Sequence, residues 1–152
     1  MWFSTSEKEA LLLKKGDLLV SEGGDVGRSA IWNFEGDFYF QNSINRIRTV
    51  EGNSVHFLYY WMLAIKNKGY IDVICNKSTI AHFTAEKVSA VPIPLPPIAE
   101  QTQIACFLDR ETSRIDTLIA EQKRLIELLQ ERRSALISAA VTGKIDLRNW
   151  KP

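Results

Sequence analysis

Seven residues could contact nucleic acid, because each has a donor group and lies in a segment predicted to be a loop or a strand edge. They are Arg28, Asn42, Arg46, Arg48, Lys77, Ser78 and Thr79. Arginine and asparagine can each make two hydrogen bonds to one base edge, and lysine and hydroxyl groups bind phosphate. Their positions therefore predict contacts with base edges and phosphates. A solvated strand face would use the same residue types, and residue type alone does not choose between these two interpretations.

A glycine-rich stretch at residues 22–28 could have a different function, the binding of a phosphate group. Three glycines within five residues predict a tight loop with positive φ. Such a loop could hold a phosphate group in a small enzyme. However, it lacks the Lys-Ser/Thr ending of a P-loop, and the strand-like residues 29–32 follow it instead of a helix. We therefore expect a hairpin or loop that brings Arg28 to the surface.

Catalytic and metal-binding constellations are missing from the sequence. His82 has no second metal ligand nearby, so we expect a capping or surface residue. Cys75 and Cys106 form no motif and are expected to be reduced, mostly buried thiols. This pattern is consistent with a protein that is not an enzyme and that has neither a metal nor a cofactor of its own.

Composition limits the class of protein further. The 152 residues carry 19 basic and 18 acidic side chains, for a net charge of +1, so any DNA contact must come from a local patch. No apolar run is long enough to span a membrane, and residues 1–4 lack the basic and apolar regions of a secretory signal. The expected location is the cytoplasm.

The segments that would position these residues form a mixed α and β domain. Strands are predicted at residues 18–20, 29–32, 38–42, 44–48 and, as an edge strand, 90–94. A helix from Ser54 to Lys68 is apolar on nearly all sides and should be mostly buried. Ser54 or Asn53 should cap its start, and Gly69 should end it. Residues 70–75 fit either a strand or a short helix, and Thr84 should cap another helical turn.

A proline-rich hinge separates this domain from a long helix. Four of the five prolines lie within residues 92–97, which therefore form a stiff, extended connector. From Ile98 to Thr142 no glycine or proline interrupts a pattern of apolar residues at spacings of three and four. The pattern predicts one helix, or two with a break near residues 109–113.

The apolar stripe of this helix needs a partner helix, either in the same chain or in another. We expect pairing through Leu118, Leu125, Leu129 and Leu136. Gln122 and Arg132 interrupt the stripe, which favours an antiparallel or register-specific pairing. A homodimer is therefore expected when the chain is isolated.

Several segments closely resemble one protein family. They are Pro94-Leu95-Pro96-Pro97-Ile98-Ala99-Glu100-Gln101, Phe107-Leu108-Asp109, Ile115-Asp116, Leu129-Gln130-Glu131-Arg132-Arg133 and Ala140-Val141-Thr142-Gly143-Lys144-Ile145-Asp146. The family is the DNA-specificity (S) subunit of type I restriction-modification systems. Upstream, residues 16–21 and 76–88 resemble elements of the closing half of its target recognition domain.

The resemblance implies a non-catalytic subunit. Each target recognition domain would read one half of a bipartite DNA site, and the long helices would pair antiparallel and set the spacer between the halves. The helices would also dock methyltransferase subunits, and the restriction subunit would join through these. S-adenosylmethionine and ATP would be bound by those partner subunits.

The resemblance also assigns the parts of the chain. We expect an α+β protein: a partial target recognition domain at residues 1–91, a hinge at 92–101, a coiled-coil-forming helix at 102–143 and a tail at 144–152. A full subunit has two recognition domains and two helices, so we expect a C-terminal fragment, a truncated product or a half-subunit. The alternative is an assembly adaptor whose shortened domain no longer reads DNA.

Overall fold

The computed structural model describes residues 5–75 and 82–151. Its elements are α1 (Thr5–Leu11), β1 (Leu18–Ser21), β2 (Ser29–Ile31), β3 (Ile44–Ile47), α2 (Val55–Asn67), α3 (Tyr70–Ile74), α4 (Ala85–Ser89) and α5 (Ile98–Val141). The chain divides into two compact units, Met1–Leu108 and Asp109–Pro152. The predicted α+β class, with a long helix at its end, is confirmed.

The first unit is built on a three-stranded antiparallel sheet in the order β2-β1-β3. β1 is the central strand, where Leu18 pairs with Ile31 on one side and Ile47 on the other. Leu18 and Val20 are completely buried, whereas Leu19 between them is only half-buried. This alternation places one face of the strand in the core, as the period of two requires.

Helix α2 covers the buried face of the sheet. Ser54 caps its N-terminus, where Oγ accepts a hydrogen bond from the Phe57 backbone N–H at 3.3 Å. Leu58, Met62 and Ile65 lie on one face and pack into the core. The helix was expected to be mostly buried, but its buried residues are confined to Phe57 and these three.

Two predicted strands are wrong. Residues 38–42 form only one isolated bridge, between Tyr39 and Leu12. Residues 90–94 form no ladder, because Pro92 and Pro94 have no N–H to donate. The Pro92 carbonyl instead accepts a hydrogen bond from Trp61 Nε1 at 3.1 Å.

The structure decides two questions that the sequence left open. Residues 70–74 form helix α3 rather than a strand, beginning after Gly69 at a φ of 74°. The long helix α5 is continuous through residues 109–113. At ~1.5 Å per residue its 44 residues rise about 66 Å.

The two cysteines differ in exposure. Cys75 is buried in the core, as expected. Cys106 is exposed on α5, so the expectation that both thiols are buried is wrong for this residue. The buried positions in this part of α5 are instead Gln101 and Ala105, which are 2% and 3% exposed. They are four residues apart and therefore lie on the same side of the helix.

Candidate nucleic-acid interface

The C-terminal end of β1 gathers three separate segments of the chain. The Ser21 N–H donates to the Arg28 carbonyl at 2.8 Å, and the Glu22 N–H donates to the Ser43 carbonyl at 2.8 Å. The Phe83 N–H donates to the Glu22 carbonyl at 2.9 Å. We call this surface, formed by residues 22–28, 41–43 and 82–83, the loop edge.

The glycine-rich loop of the loop edge is held tightly to the core. Gly27 adopts a φ of 75°, its N–H donates to the Ser21 carbonyl at 2.9 Å, and a Cβ at this position would collide with Ile71. Lys66 forms an ion pair with Asp25 and donates to the Val26 carbonyl at 3.0 Å. β2 follows the loop directly, so the expected loop that brings Arg28 to the surface is confirmed.

Arg28 and Asn42 are the exposed candidates at the loop edge. Asn42 immediately precedes Ser43, which has the unusual φ of 82° for a residue other than glycine. Both side chains can therefore reach a molecule outside the protein. Lys77, Ser78 and Thr79, the other candidates from the sequence, lie outside the described residues.

Acidic groups make the charge of the loop edge mixed. The hydrogen bond from Lys66 lowers the pKa of Asp25, helped by the positive charges of Lys66 and Arg28 and opposed by burial. His82 was expected to be a capping or surface residue, and its exposed ring lies 4.0 Å from the Glu22 carboxylate, between Nδ1 and Oε1. Two carboxylates thus accompany the cations that could face DNA phosphates.

Arg46 and Arg48 lie towards the opposite end of β1. The antiparallel register pairs Leu18, at the start of β1, with Ile47, at the end of β3. Ile44 pairs with Ser21 beside the loop edge, and Arg46 and Arg48 follow it by two and four residues, so their backbones lie about 7 and 14 Å from that end at ~3.4 Å per residue. The structure therefore divides the group that Asn42, Arg46 and Arg48 form in the sequence.

Both arginines are engaged by their own chain. Arg46 Nη1 donates to the carbonyls of Ala10 and Leu12 at 3.0 and 2.9 Å, and its guanidinium lies 5.2 Å from the centre of the Phe40 ring. Arg48 donates to the Asp17 carboxylate from Nε at 2.6 Å and from Nη2 at 2.7 Å. The two side chains thus hold the segment before β1 against β3.

Asp17 is the buried partner of this contact. Its side chain is 1% exposed and also accepts a hydrogen bond from the Lys14 N–H at 2.7 Å. Burial opposes ionisation, but the hydrogen bonds from Arg48 and Lys14 and the charges of Arg48 and Arg46 outweigh it, so the pKa of Asp17 is lowered. A charged carboxylate is consequently part of the folded structure.

The predicted helix-pairing residues all lie in the second unit. Leu118, Leu125, Leu129 and Leu136 are 49%, 47%, 53% and 59% exposed. Their spacings of seven, four and seven place them along one stripe of α5. This stripe carries more exposed apolar surface than a helix normally leaves in water.

The described residues contain no group of three or more His, Cys, Asp and Glu side chains that could hold a metal ion. Nor does any helix in the described part of the chain have the length and apolar character needed to cross a membrane. A hollow of about 470 Å³ is lined by Trp61, Ala64, Ile65, Lys68, Tyr70 and Pro92.

Residues 3–128 match the family described as the type I restriction modification DNA specificity domain. The chain belongs to the type I restriction-modification DNA specificity family. The match runs from the N-terminal segment through the whole sheet and more than half of α5, which confirms the resemblance seen in the sequence motifs.

Individual relatives agree with the family match. The chain is 29% identical over 147 residues to the EcoBI specificity subunit of Escherichia coli, which covers 95% of this chain and 30% of that protein. It is 28% identical over 119 residues to a putative type I specificity subunit of Haemophilus influenzae, covering 78% of this chain and 30% of that protein. The chain thus spans about a third of the length of these relatives.

One solved structure has the same fold. It is described as the structural basis underlying complex assembly and conformational transition of the type I R-M system. The superposition has a TM-score of 0.75 at 22% sequence identity and covers 86% of this chain and 31% of that chain. The two chains therefore share a fold over most of the length of this chain.

Proposed function

We propose that this chain is a non-catalytic DNA-recognition component of a type I restriction-modification complex. Its first unit reads one half of a bipartite DNA site, and α5 pairs with another long helix and docks methyltransferase subunits. The restriction subunit joins through these, and S-adenosylmethionine and ATP belong to the partner subunits. The observation that carries the proposal is the family match over residues 3–128.

The loop edge supports the DNA-reading part of the proposal. Arg28 and Asn42 are exposed on loops, and those loops are tied by backbone hydrogen bonds to the end of a rigid sheet. Loops held in this way are common positions for binding residues. Arginine pairs well with guanine and asparagine with adenine in the major groove, each pair contributing about 1–3 kcal/mol of discrimination.

The test begins with selection of a DNA sequence from a random duplex library. The selected duplex is then used to measure the affinity of Arg28→Ala and Asn42→Ala. We expect each change to weaken binding about 5- to 150-fold and to relax selectivity at one base pair. Lys15→Ala removes an exposed cation from the other end of β1 and serves as the control. Equal affinity in all three variants would contradict the assignment of the loop edge.

The remaining sequence-based candidates enter the same assay with different readouts. Lys77→Ala should reduce the salt dependence of binding, because a phosphate contact releases a counterion. Ser78 and Thr79 remain candidates for base or phosphate contacts. The double change Arg46→Ala/Arg48→Ala should also weaken binding, but its melting temperature must be measured, since both side chains hold the fold together.

The exposed stripe supports the pairing part of the proposal. Leu129→Glu should convert the isolated chain from a homodimer to a monomer, because the change buries a charge in the helix–helix contact. Light scattering across a dilution series measures the molar mass. Gln130→Glu adds the same charge at the neighbouring exposed position and should leave the mass unchanged. A dimer that survives Leu129→Glu would place the contact elsewhere.

A second candidate function is an assembly adaptor that no longer reads DNA. The mixed charge of the loop edge, where Glu22 and Asp25 accompany Arg28, favours this alternative. Dimers or methyltransferase complexes that select no sequence from the library would support the adaptor over the DNA-reading subunit.

A further inference from the structure

Gln101 is the most deeply buried polar side chain at the start of α5, and its amide makes three hydrogen bonds. Oε1 accepts from the Ser54 N–H at 2.9 Å. Nε2 donates to Asn53 Oδ1 at 3.2 Å and to the Pro96 carbonyl at 2.8 Å. A single side chain, only 2% exposed, therefore connects the start of α2, the proline-rich hinge and the first turn of α5.

The three partners require both functions of an amide. Ser54 presents a donor, whereas Asn53 and Pro96 present acceptors, so the residue between them must accept once and donate twice. A carboxylate at this position would place its charge against two oxygen atoms. An apolar side chain would leave three partly buried polar groups without these partners.

The proline-rich hinge explains why the hydrogen bonds of Gln101 are needed. Pro92, Pro94, Pro96 and Pro97 provide no N–H, so the segment cannot fix its own position through a backbone ladder. Gln101 supplies a donor to the Pro96 carbonyl from the helix instead. Ala105, buried one turn later, adds close packing on the same side of α5.

A small change in the direction of a long helix at its start produces a large displacement of its far end. From Gln101 to Leu136 the helix rises about 52 Å at ~1.5 Å per residue. A tilt of about 10° at Gln101 would move Leu136 by about 9 Å, which corresponds to between two and three base pairs of DNA. A change in helix direction of this size at Gln101 would therefore alter spacing on the scale of a DNA site.

We propose that Gln101 is a positioning residue that fixes the direction in which α5 leaves the first unit and, through it, the spacer length that two paired recognition units accept. The part that concerns the spacer rests on the proposed function above. Gln101 contacts no DNA in this scheme; it acts through the hinge and the start of α2.

The direct test measures distances without DNA. Spin labels are attached to Lys15→Cys and Glu127→Cys in a Cys106→Ser background, where the buried Cys75 stays unlabelled. Mixing with excess unlabelled chain removes distances between two copies. Pulsed electron resonance then gives the distribution of distances between the two labels within one chain.

The informative variants keep the length of the side chain. Gln101→Glu removes both donors, and Gln101→Met removes all three hydrogen bonds. We expect either change to broaden or shift the distance distribution by several ångströms, because Glu127 lies about 39 Å along the helix from Gln101 and a tilt of about 10° would move it by about 7 Å. Gln103→Glu makes the same chemical change at an exposed position two residues away and should reproduce the parent distribution.

Two outcomes would overturn this proposal, and a third would count only against the proposed function. A parent-like distribution in both Gln101 variants would show that the amide does not set the direction of α5. Unfolding of the whole first unit in both variants, seen in tryptophan fluorescence, would assign Gln101 a purely structural role. Failure of the parent chain to select any DNA would count against the proposed function alone, because the label distances need no DNA.

A DNA-binding assay extends the test by measuring which separations between half-sites the protein accepts. If the parent chain selects two half-sites at one separation, Gln101→Glu should keep the half-site sequence and accept a wider range of separations. Loss of half-site affinity with the separation preference retained would contradict the positioning role, since Gln101 would then affect recognition itself.

Discussion

Substitution of Arg48 tests whether the Asp17–Arg48 contact supports the fold. The Asp17 carboxylate is 1% exposed in the parent protein, and Arg48→Ala leaves it only the Lys14 N–H as a hydrogen-bond donor. The change also removes two short hydrogen bonds, at 2.6 and 2.7 Å, from a guanidinium. A buried carboxylate that loses its cation is costly in any globular protein.

The magnitude follows from the exposure of the two partners. A hydrogen bond to a buried charged group contributes about 1.5–3 kcal/mol, whereas an exposed ion pair contributes about 0–1 kcal/mol. Asp17 is buried, but the Arg48 side chain is 41% exposed, so we expect a loss of about 2 kcal/mol. For a unit of this size that loss lowers the melting temperature by roughly 8 °C.

The assay is thermal unfolding followed by circular dichroism, first at neutral pH and then at decreasing pH. The pKa of Asp17 is lowered in the folded protein, so its contribution is present above the unfolded pKa of about 3.9 and is lost as pH falls through the folded value. The gap between parent and Arg48→Ala should therefore narrow below about pH 4. Lys15→Ala, which removes an exposed cation, should melt like the parent at each pH. An Arg48→Ala protein with parental melting at neutral pH, or a gap that stays constant in acid, would refute the reasoning.

Two further predictions concern thiol reactivity and a glycine. Cys106 is exposed, whereas Cys75 is buried and burial raises the pKa of its thiol, so a maleimide should label one thiol in the native chain and two in denaturant. Rapid double labelling would contradict the burial of Cys75. Gly27→Ala should destabilise the first unit by about 2–3 kcal/mol, because its φ is positive and its Cβ would collide with Ile71. Gly24→Ala has a positive φ but open space, so it should lose only about 1 kcal/mol in the same urea titration.

Prediction of secondary structure from the sequence succeeded where an element depends on residues that are close together in the chain. Ser54 caps α2 and Thr84 caps α4 as expected, because capping depends on a side chain and the N–H groups two or three residues later. It failed for residues 38–42 and 90–94, which have strand-like compositions. A strand also needs a partner with free donors and acceptors along its length, and composition does not reveal that partner.

In the candidate site, too, the sequence did not reveal contacts between distant segments of the chain. The sequence identified Arg28 and Asn42 as candidates but grouped Asn42 with Arg46 and Arg48, and only the register of β3 against β1 separates them. Gln101 drew attention only as part of a family motif. Its hydrogen-bond partners at Asn53 and Ser54 lie almost fifty residues earlier in the chain, so no local pattern could indicate them.

The sequence by itself determined the family, the long amphipathic helix and the stiff proline hinge, because motifs, helical periodicity and the geometry of proline are properties of neighbouring residues. Tertiary structure alone decided which cations are available to a partner. Arg48 is bound to Asp17, which lies 31 positions earlier in the sequence. Arg28 stays exposed at the end of the glycine-rich loop of the loop edge. Whether a charged side chain faces solvent or a buried partner depends on contacts between distant segments, and these exist only once the sheet has formed.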